Sequence, residues 1–239
     1  NLVYTGADIE VVLTGNTYKA AFTESSPVST FNSGNQILLN ASGSLQIDNR
    51  ILTYMDNQWK AENEFSWSDL TGKTNVTAVY PVYPDLDYVQ ENLYKNNSLE
   101  DILYVKDEFP AGNSIHLQFK HLFSLLTLHL EGNLQTYFQK IEVTCPAVSS
   151  IIPKSAEIVL ADNGTHTTTI AQVSPSGNYS FIVPPVGNMV IAINMVTNGK
   201  KYTTQLETKS FTGNKEYTYH LKISEKTPGI MTAEDWIAF

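Results

Sequence analysis

Apolar and polar residues alternate along much of this chain, which is the pattern of half-buried β-strands. Short turns rich in Gly and Asn separate the alternating stretches. No helical segments of about ten residues lie between the predicted strands, so the pattern favours β-sandwiches over a parallel sheet covered by helices. The clearest stretches are Ile9–Leu13, Ile37–Leu39, Val76–Tyr80, Ile191–Met195 and Tyr217–Ile223.

Two Asn-Gly pairs in the second half of the chain predict tight hairpin turns. They are Asn163-Gly164 and Asn198-Gly199, and alternating residues stand on both sides of each pair. Asn-Gly readily adopts the positive φ angles of a type I′ turn, which joins two antiparallel strands.

The alternation changes phase in the middle of the chain. Two sets of alternating residues have opposite parity, namely Ile115, Leu117 and Phe119, and then Leu126, Leu128 and Leu130. A shift by one residue moves every side chain to the other face of a sheet. Two tandem β-sandwich domains, residues 1–121 and 122–239, let each set enter its own core. The helical spacing over Phe119–Leu126 then predicts a short helical turn that joins the two strands, with the domain boundary near Lys120–Ser124. A β-bulge within one domain also shifts the phase and remains the alternative.

Composition narrows the classes of partner. The chain has 15 basic and 24 acidic residues, a net charge of −9, and one arginine, Arg50. A nucleic-acid partner is therefore not expected, because phosphate binding needs clustered Lys and Arg. No apolar run approaches the roughly 18 residues of a membrane-spanning helix. The single cysteine, Cys145, excludes an internal disulfide, and its place in an apolar strand predicts a buried thiol.

The histidines give no metal site. His116, His121 and His129 lack the spacing of zinc ligands. His116 and His129 occupy polar positions of their strands and are expected to face solvent. His121 lies in the predicted turn, where we expect it to bond a backbone carbonyl. No metal ligand and no cofactor is predicted.

Two carboxylate pairs are candidates for catalysis, namely Asp85 with Asp87 and Glu100 with Asp101. A glycosidase needs two carboxylates facing each other across a sugar, which adjacency along the chain does not provide. Asp85 and Asp87 also lack the spacing of an EF-hand calcium loop. We therefore predict no catalytic residue and no enzymatic activity, and a hydrolase remains the weakest hypothesis.

The segment from residue 84 to residue 99 is polar and aromatic, with little periodicity. It is predicted to be a long loop with a helical turn at Ser98–Asp101. Tyr83, Tyr88 and Tyr94 are hard to bury in such a loop, and aromatic rings stack on sugars. These three tyrosines are therefore the candidate glycan-contact residues.

Several stretches carry a shared pattern of aromatic, Gly and Pro positions. They are FNSGNQILLNA (31–41), ILTYMDNQWKAENEFSWSDLTGKTNVTAVYPVYP (51–84), DILYVKDEF (101–109), HLQFKHLFSLLTLHLEG (116–132), GNKEYTYHLKI (213–223) and IMTAEDWIAF (230–239). Together they resemble the fimbrillin family, whose members are two-domain β-sandwich subunits of type V pili from Gram-negative gut and oral anaerobes. Such motifs report on the fold, and on function only by association.

The resemblance implies an all-β chain of two tandem transthyretin-like β-sandwich domains. It implies a structural or adhesive subunit of a fimbrium at the cell surface, exported to the outer membrane through a lipoprotein precursor. Partners would be other fimbrial subunits, joined by strand exchange, and glycans or proteins of host or bacterial surfaces. Family members lose an N-terminal strand to a protease that often cuts after Arg, but no Arg precedes Arg50 here. The alternative function is a carbohydrate-binding surface lipoprotein module of the outer membrane.

Strand exchange needs a removable strand and a donor strand. The candidate removable strand carries Ile9, Val11 and Leu13, and TGNTYK (14–19) follows it as a connection open to proteolysis. The candidate donor anchors near the C-terminus are Ile230, Trp236 and Ile237. The same C-terminal residues also fit a role in capping their own domain. The unprocessed chain is expected to be a monomer, and deletion of residues 1–19 is predicted to promote self-association.

Overall fold

The protein is built almost entirely of β-strands. The computed structural model describes residues 9–13, 21–22, 30–62, 71–111, 115–132, 138–174, 176–186, 190–197, 200–207, 210–227 and 230–236. The strands are β1 (Ile9–Leu13), β2 (Ala21–Phe22), β3 (Gln36–Gly43), β4 (Ile47–Met55), β5 (Gln58–Ala61), β6 (Thr74–Tyr80), β7 (Tyr94–Lys95), β8 (Ser98–Leu99), β9 (Leu103–Phe109), β10 (Ile115–His121), β11 (Ser124–Gly132), β12 (Phe138–Ile152), β13 (Glu157–Val173), β14 (Gly177–Val183), β15 (Val190–Thr197), β16 (Lys200–Glu207), β17 (Glu216–Thr227) and β18 (Ile230–Trp236). The predicted all-β class is confirmed.

The strands form three large sheets and one small one within the described part of the chain. A seven-stranded sheet has the order β1-β10-β9-β6-β3-β4-β5. A five-stranded sheet has the order β18-β17-β11-β14-β2, and a four-stranded sheet has the order β13-β12-β15-β16. The small sheet is the pair β7-β8. The seven-stranded sheet is thus made entirely by strands that precede Leu122. We call the part of the chain before Leu122 the first half and the part after it the second half. Strands of the second half make most of the other sheets.

The two sets of residues with opposite parity lie in different clusters of buried side chains. Ile115, Leu117 and Phe119 belong to the first core, which β3, β6 and β9 also line. Leu126, Leu128 and Leu130 belong to the second core, together with residues of β12 and β14. The change of phase therefore matches a change of core, and the division into two domains at residues 121 and 122 stays a prediction.

A third cluster, the junction cluster, joins the two halves. It contains Leu38 and Val79 from the first half and Val148, Ile151 and Ile182 from the second half. This explains why β3 is buried on both faces at Ile37, Leu38 and Leu39, since the second half covers the side of the sheet that turns away from the first core. Residues of the segment between β6 and β9 fill the space between the halves, namely Tyr83, Tyr88, Leu93, Leu99 and Ile102.

A two-residue bend connects the halves, and the predicted helical turn over Phe119–Leu126 is wrong. Strand β10 continues to His121 and β11 starts at Ser124, so only Leu122 and Phe123 lie between them. Both side chains are buried in the junction cluster. The Leu122 N–H donates to the Ile102 carbonyl at 2.7 Å, and the Phe123 carbonyl accepts the Asn214 N–H at 2.9 Å. Burial at the junction therefore accounts for the apolar spacing that resembled a helix.

The Asn163-Gly164 hairpin turn is also wrong. Strand β13 runs through both residues without reversing, because Val148 and Pro146 of β12 pair with Leu160 and Thr165 on either side of them. The chain reverses earlier, between Ile152 and Glu157. The pair lies in a bulge, because residues 161–164 of β13 face only Ala147 of β12, and Asn163 there has a φ of 54°.

The second predicted hairpin is confirmed by its strands. Strands β15 and β16 are antiparallel, and Thr197 pairs with Lys200. The two turn residues, Asn198 and Gly199, lie outside the described residues.

The segment from residue 84 to residue 99 is more ordered than a loop. It contains a 3-10 turn at Pro84–Leu86, the helix α1 (Gln90–Leu93), and the β7-β8 hairpin. The helical turn predicted at Ser98–Asp101 is wrong, since Ser98–Leu99 is a strand. The segment is held to the second half by the Ile151 N–H, which donates to the Tyr88 carbonyl at 2.9 Å.

Candidate functional site

Strand β1 is the outermost strand of the seven-stranded sheet, next to β10. It runs parallel to β10, from Ile9 opposite Ile115 to Leu13 opposite Phe119. On its other side β10 pairs with β9 only at Lys120 and His121. Across Ile115–Phe119, β1 is therefore the ladder partner of β10 in the described part of the chain.

The strand beneath β1 carries a large apolar surface. Ile115, Leu117 and Phe119 are at most 1% exposed. The Phe119 ring packs edge-on against Phe31, with centroids 5.6 Å apart. An unpaired β10 would expose backbone groups directly beside this core, which is the condition under which an edge strand accepts another segment.

The N-terminal part of the chain also pairs with the second half. This pairing was not predicted from the sequence. Strand β2 runs parallel to β14, with Ala21 opposite Tyr179 and Phe22 opposite Ser180. It is the outermost strand of the five-stranded sheet. Two residues are too few to show an alternating pattern, so the sequence carries no local signal for this pairing. Strand β1 thus forms an edge of the seven-stranded sheet, and strand β2 forms an edge of the five-stranded sheet.

The candidate donor segment at the other end of the chain is an edge strand as well. Strand β18 is antiparallel to β17, and Trp236 pairs with His220. Ile230 and Trp236 are the end residues of β18, whereas Ile237 lies outside the described residues. In this structure the C-terminal strand therefore completes a sheet of its own chain.

The three candidate glycan-contact tyrosines lie in the junction, and the expectation that they are hard to bury is wrong for Tyr83 and Tyr88. Tyr83 and Tyr88 are 9% and 2% exposed, and their rings meet edge-on at 5.1 Å. The Tyr83 hydroxyl donates to Glu100 at 2.7 Å. The Tyr88 hydroxyl donates to a backbone carbonyl, that of Pro81, at 2.8 Å.

Burial also sets the acidity of these hydroxyls. It raises the pKa of Tyr83 and of Tyr88 well above the usual range, and the hydrogen bond to Glu100 adds to the rise at Tyr83. Tyr94 is half-buried, its hydroxyl accepts the Val148 N–H at 2.9 Å, and burial raises its pKa to about 12. All three hydroxyls are engaged within the protein, so the rings do not form an exposed stacking platform in this conformation.

A buried histidine-carboxylate pair lies beside the bend. His121 Nδ1 is 2.8 Å and 3.0 Å from the two carboxylate oxygens of Asp101. Both residues are less than 8% exposed. The prediction that His121 bonds a backbone carbonyl is therefore wrong for Nδ1, whose partner is the Asp101 carboxylate. The pair ties the end of β10 to the start of β9, and its burial within the junction favours a structural role.

The other candidate residues differ in their exposure to solvent. His116 is exposed as predicted, whereas His129 is half-buried and its Nδ1 bonds the side-chain oxygen of Asn178. Asp85 and Asp87 are both exposed in their segment. Within the described residues no group of three or more His, Cys, Asp or Glu side chains is placed to hold a metal. Cys145 is buried as predicted, and burial raises the pKa of its thiol to about 12.

Comparison with solved structures shows the same fold in adhesion proteins of Bacteroides. The chain matches a candidate cell adhesion protein of Bacteroides uniformis with a TM-score of 0.62 and 14% identity, over 90% of this chain and 97% of that one. A candidate cell adhesion protein of Bacteroides ovatus gives a TM-score of 0.61 and 13% identity, with 98% of both chains covered. A fimbrial protein of Bacteroides ovatus gives 0.51 and 15% identity, over 92% of this chain and 49% of that one.

At these identities the likeness establishes the fold alone. No curated protein gives a significant match. None of the helices in the part of the chain that the structure describes is long and apolar enough to cross a membrane. The family model for fimbrillin-like proteins matches residues 20–236, which is most of the sequence. The chain therefore belongs to the fimbrillin-like family.

Proposed function

We propose that this protein is a non-enzymatic subunit of a fimbrium at the cell surface, and that copies assemble by exchanging β-strands. The family membership supports the fimbrial part of the proposal. The observation that carries the assembly part is the position of the N-terminal segment, whose strands β1 and β2 are the outermost strands of two different sheets.

Loss of this segment would leave an acceptor groove along β10. The residues of β10 whose backbone groups point toward β1 would lose their ladder bonds, and an unmet bond of a buried backbone group costs about 1–3 kcal/mol. The apolar side chains of Ile115, Leu117 and Phe119 would then border an open edge. An extended segment of a neighbouring subunit restores both the ladder and the cover by strand addition.

Strand β18 is the donor that the chain itself offers. It is an outermost strand of its sheet, and β17 is its only strand partner within the described residues, so it can leave without dividing the sheet. The anchors Ile230, Trp236 and Ile237 would enter the neighbour's groove. With β1, β2 and β18 all paired within one chain, the unprocessed protein is a monomer in this proposal.

Three truncations test the assembly by light scattering. Removal of residues 1–22 takes away β1 and β2 and should produce oligomers, whereas removal of residues 1–8, which precede β1, should leave a monomer. Further removal of residues 229–239 from the oligomer-forming variant should return a monomer. A folded monomer after removal of residues 1–22 contradicts strand exchange.

The proposed location is the outer membrane and the fimbrium, reached through a lipoprotein precursor. Immunogold electron microscopy of native cells tests it, and labelling confined to the cell interior would contradict it. The alternative of a glycan-binding surface module through Tyr83, Tyr88 and Tyr94 would need these rings to leave the junction. A glycan array that gives no signal, or a signal unchanged when the three tyrosines are replaced by Ala, would exclude that alternative.

A further inference from the structure

Strand β13 is an outermost strand of the four-stranded sheet, and β12 is its only strand partner within the described residues. Its second part, Thr165–Ala171, which we call the threonine edge, pairs residue by residue with β12. The backbone hydrogen bonds that the described residues form outside the strand ladders do not involve this segment. The backbone groups of the threonine edge that point away from β12 therefore form an open edge in the described part of the chain.

The threonine edge lacks the features that usually keep an edge strand from pairing. Charged side chains, Pro and bulges commonly protect such strands. The first part of β13 has this protection, in Glu157, Asp162 and the bulge at residues 161–164. The threonine edge, with the sequence THTTTIA, contains no Pro, Asp, Glu, Lys or Arg. It is rich in β-branched residues, which favour strand pairing.

The other edge strands of the three large sheets differ from the threonine edge in charge. Strands β1, β5, β16 and β18 each carry charged residues, among them Glu10, Lys60, Lys200 and Asp235. Strand β2 is uncharged but is only two residues long. Among the described edge strands of these sheets, a long stretch without charge is thus confined to β13.

Contacts with the first half hold the threonine edge in the shape of a strand. His166 Nε2 and the Thr168 hydroxyl both donate to the Asn97 carbonyl, at 2.8 Å and 3.1 Å. The Tyr94 ring lies against the His166 ring, with centroids 4.0 Å apart. These contacts come from the β7-β8 hairpin. An edge that is already ordered can bind a further strand without the cost of ordering its own backbone.

We infer that the threonine edges of two copies of this chain pair side by side as antiparallel strands. Pairing about a two-fold axis brings this segment against the same segment of the other copy. The four-stranded sheet of each copy then continues into that of its neighbour.

The composition of the threonine edge favours a second copy as its partner. Like charges that lie opposite each other destabilise a strand pair, and an uncharged segment avoids this although the chain has a net charge of −9. The exposed side chains lie at every second position, and they are Thr165, Thr167, Thr169 and Ala171. Pairs of Thr on neighbouring strands are favourable. The row offers neither a charge nor a large apolar side chain that would select a different protein.

The contact is short, so two isolated copies associate weakly. At about 3.3 Å per residue the threonine edge spans about 23 Å. One strand laid beside another covers far less than the roughly 800 Å² that each partner buries in a stable complex. The chain is therefore a monomer in dilute solution. In a fimbrium many copies present the edge in one array, and repeated weak contacts then hold neighbouring fimbriae together.

The pairing is separate from the proposed assembly by strand exchange. The threonine edge includes no residue of β1, β2, β10 or β18. Contact between fimbriae rests on the proposed function, whereas the pairing of two copies does not. Because the pairing is measured on the full chain and strand exchange on truncated chains, the failure of one is distinguishable from the failure of the other.

Sedimentation velocity and hydrogen exchange of the full chain test the pairing at two concentrations. At about 10 µM the chain should sediment as a monomer, and at about 1 mM a dimer should be populated, as expected for a Kd near 1 mM. The amides of Thr165–Ala171 that point away from β12 should exchange fast in the monomer. At about 1 mM they should exchange about twofold more slowly, since about half of the molecules are then paired.

A charged variant and a matched control locate the contact. Thr169 is exposed and lies opposite Glu142 of β12, so Thr169→Lys fits the fold of the single chain. In the pair it brings two ammonium groups close together, which should abolish the dimer. Gln118→Lys adds the same charge at an exposed position of β10, which lies between β1 and β9, and should leave the dimer unchanged.

Each of four results would overturn the inference. They are a monomer at about 1 mM, a dimer without slower exchange at the threonine edge, slow exchange of the outward amides already in the monomer, and equal dimerisation of Thr169→Lys and Gln118→Lys. Urea unfolding shows whether each variant is folded. If Thr169→Lys does not fold, Thr167→Lys places the charge on the same exposed row, and the hydrogen exchange of the unchanged chain still decides.

Discussion

The replacement of Phe119 by Ala measures how strongly β10 is anchored in the first core. Phe119 is fully buried, and its ring packs edge-on against Phe31 at a centroid distance of 5.6 Å. Truncation of a buried Phe to Ala costs about 3–5 kcal/mol, because it removes apolar contacts and leaves a cavity. The edge-on aromatic pair accounts for about 0.5–1.5 kcal/mol of such a loss. We therefore expect the free energy of unfolding of the affected half to fall by about 3–5 kcal/mol.

Urea unfolding and calorimetry provide the measurement. For a chain of this size, 1 kcal/mol lowers Tm by about 2–4 °C, so Phe119→Ala should lower Tm by about 6–20 °C. Phe119→Leu keeps most of the volume and should cost clearly less. His116→Ala changes an exposed position of the same strand and should cost less than about 0.5 kcal/mol. A loss below about 1 kcal/mol for Phe119→Ala would show that β10 is not anchored as described.

The same variant tests the proposed division into two domains. Phe181 is its counterpart in the second core, where it is 1% exposed. If each half unfolds as its own unit, Phe119→Ala should lower the transition of the first half and Phe181→Ala that of the second. A single transition that both variants lower equally would contradict the division and would show that the junction cluster makes the chain unfold as one unit.

Three other variants or probes test particular contacts. Gly213→Ala should lower the free energy of unfolding by about 1–3 kcal/mol, because the new Cβ would lie 2.5 Å from the Leu122 carbonyl oxygen. Gly72→Ala has room for its Cβ and should be nearly neutral. Equal losses of stability for the two variants in urea unfolding would refute this packing. Burial raises the pKa of the Cys145 thiol to about 12, and only the thiolate is nucleophilic. A thiol reagent should therefore react fast only after denaturation, and rapid reaction of the folded protein would contradict the burial of Cys145. Tyr88→Phe removes a hydrogen bond from a buried hydroxyl to a backbone carbonyl and should cost about 0.5–1.5 kcal/mol in urea unfolding, and an unchanged stability would show that the bond contributes nothing.

Periodicity predicted the parts of the fold in which one face of a strand is buried. Strand β10 is the clearest case, because its residues are buried and exposed in strict alternation from Ile115 to His121. The change of parity before Leu126 also predicted that the next apolar set enters a different core. In both places the signal is local, since burial on one face imposes a period of two on the sequence.

Other features depend on pairings that the local sequence does not encode. Asn163-Gly164 has the composition of a turn, but the pairing of β13 with β12 continues past it and turns it into a bulge. Tyr88 lies in a segment without periodicity, and it is buried because the two halves close on it. His121 and Asp101 are 20 residues apart, and only the fold brings them together.

The candidate sites also depend on contacts that the local sequence does not encode. The sequence singled out both chain ends for strand exchange, but it did not show that Ala21–Phe22 pairs with β14 in the other sheet. At Asn40 the sequence shows only a polar residue between two apolar ones. The fold turns its amide oxygen toward the Asn49 N–H and leaves its Nδ2 as a buried donor without a partner within the described residues.

Hydrogen exchange at β10 tests strand exchange most directly. The backbone amides of Ile115–Phe119 that point toward β1 should exchange slowly in the full chain. In the variant without residues 1–22 they should exchange fast in any monomer and slowly again in the oligomer, because a neighbour's strand then occupies the groove. An oligomer in which these amides exchange as fast as in the truncated monomer would show that assembly does not use this edge.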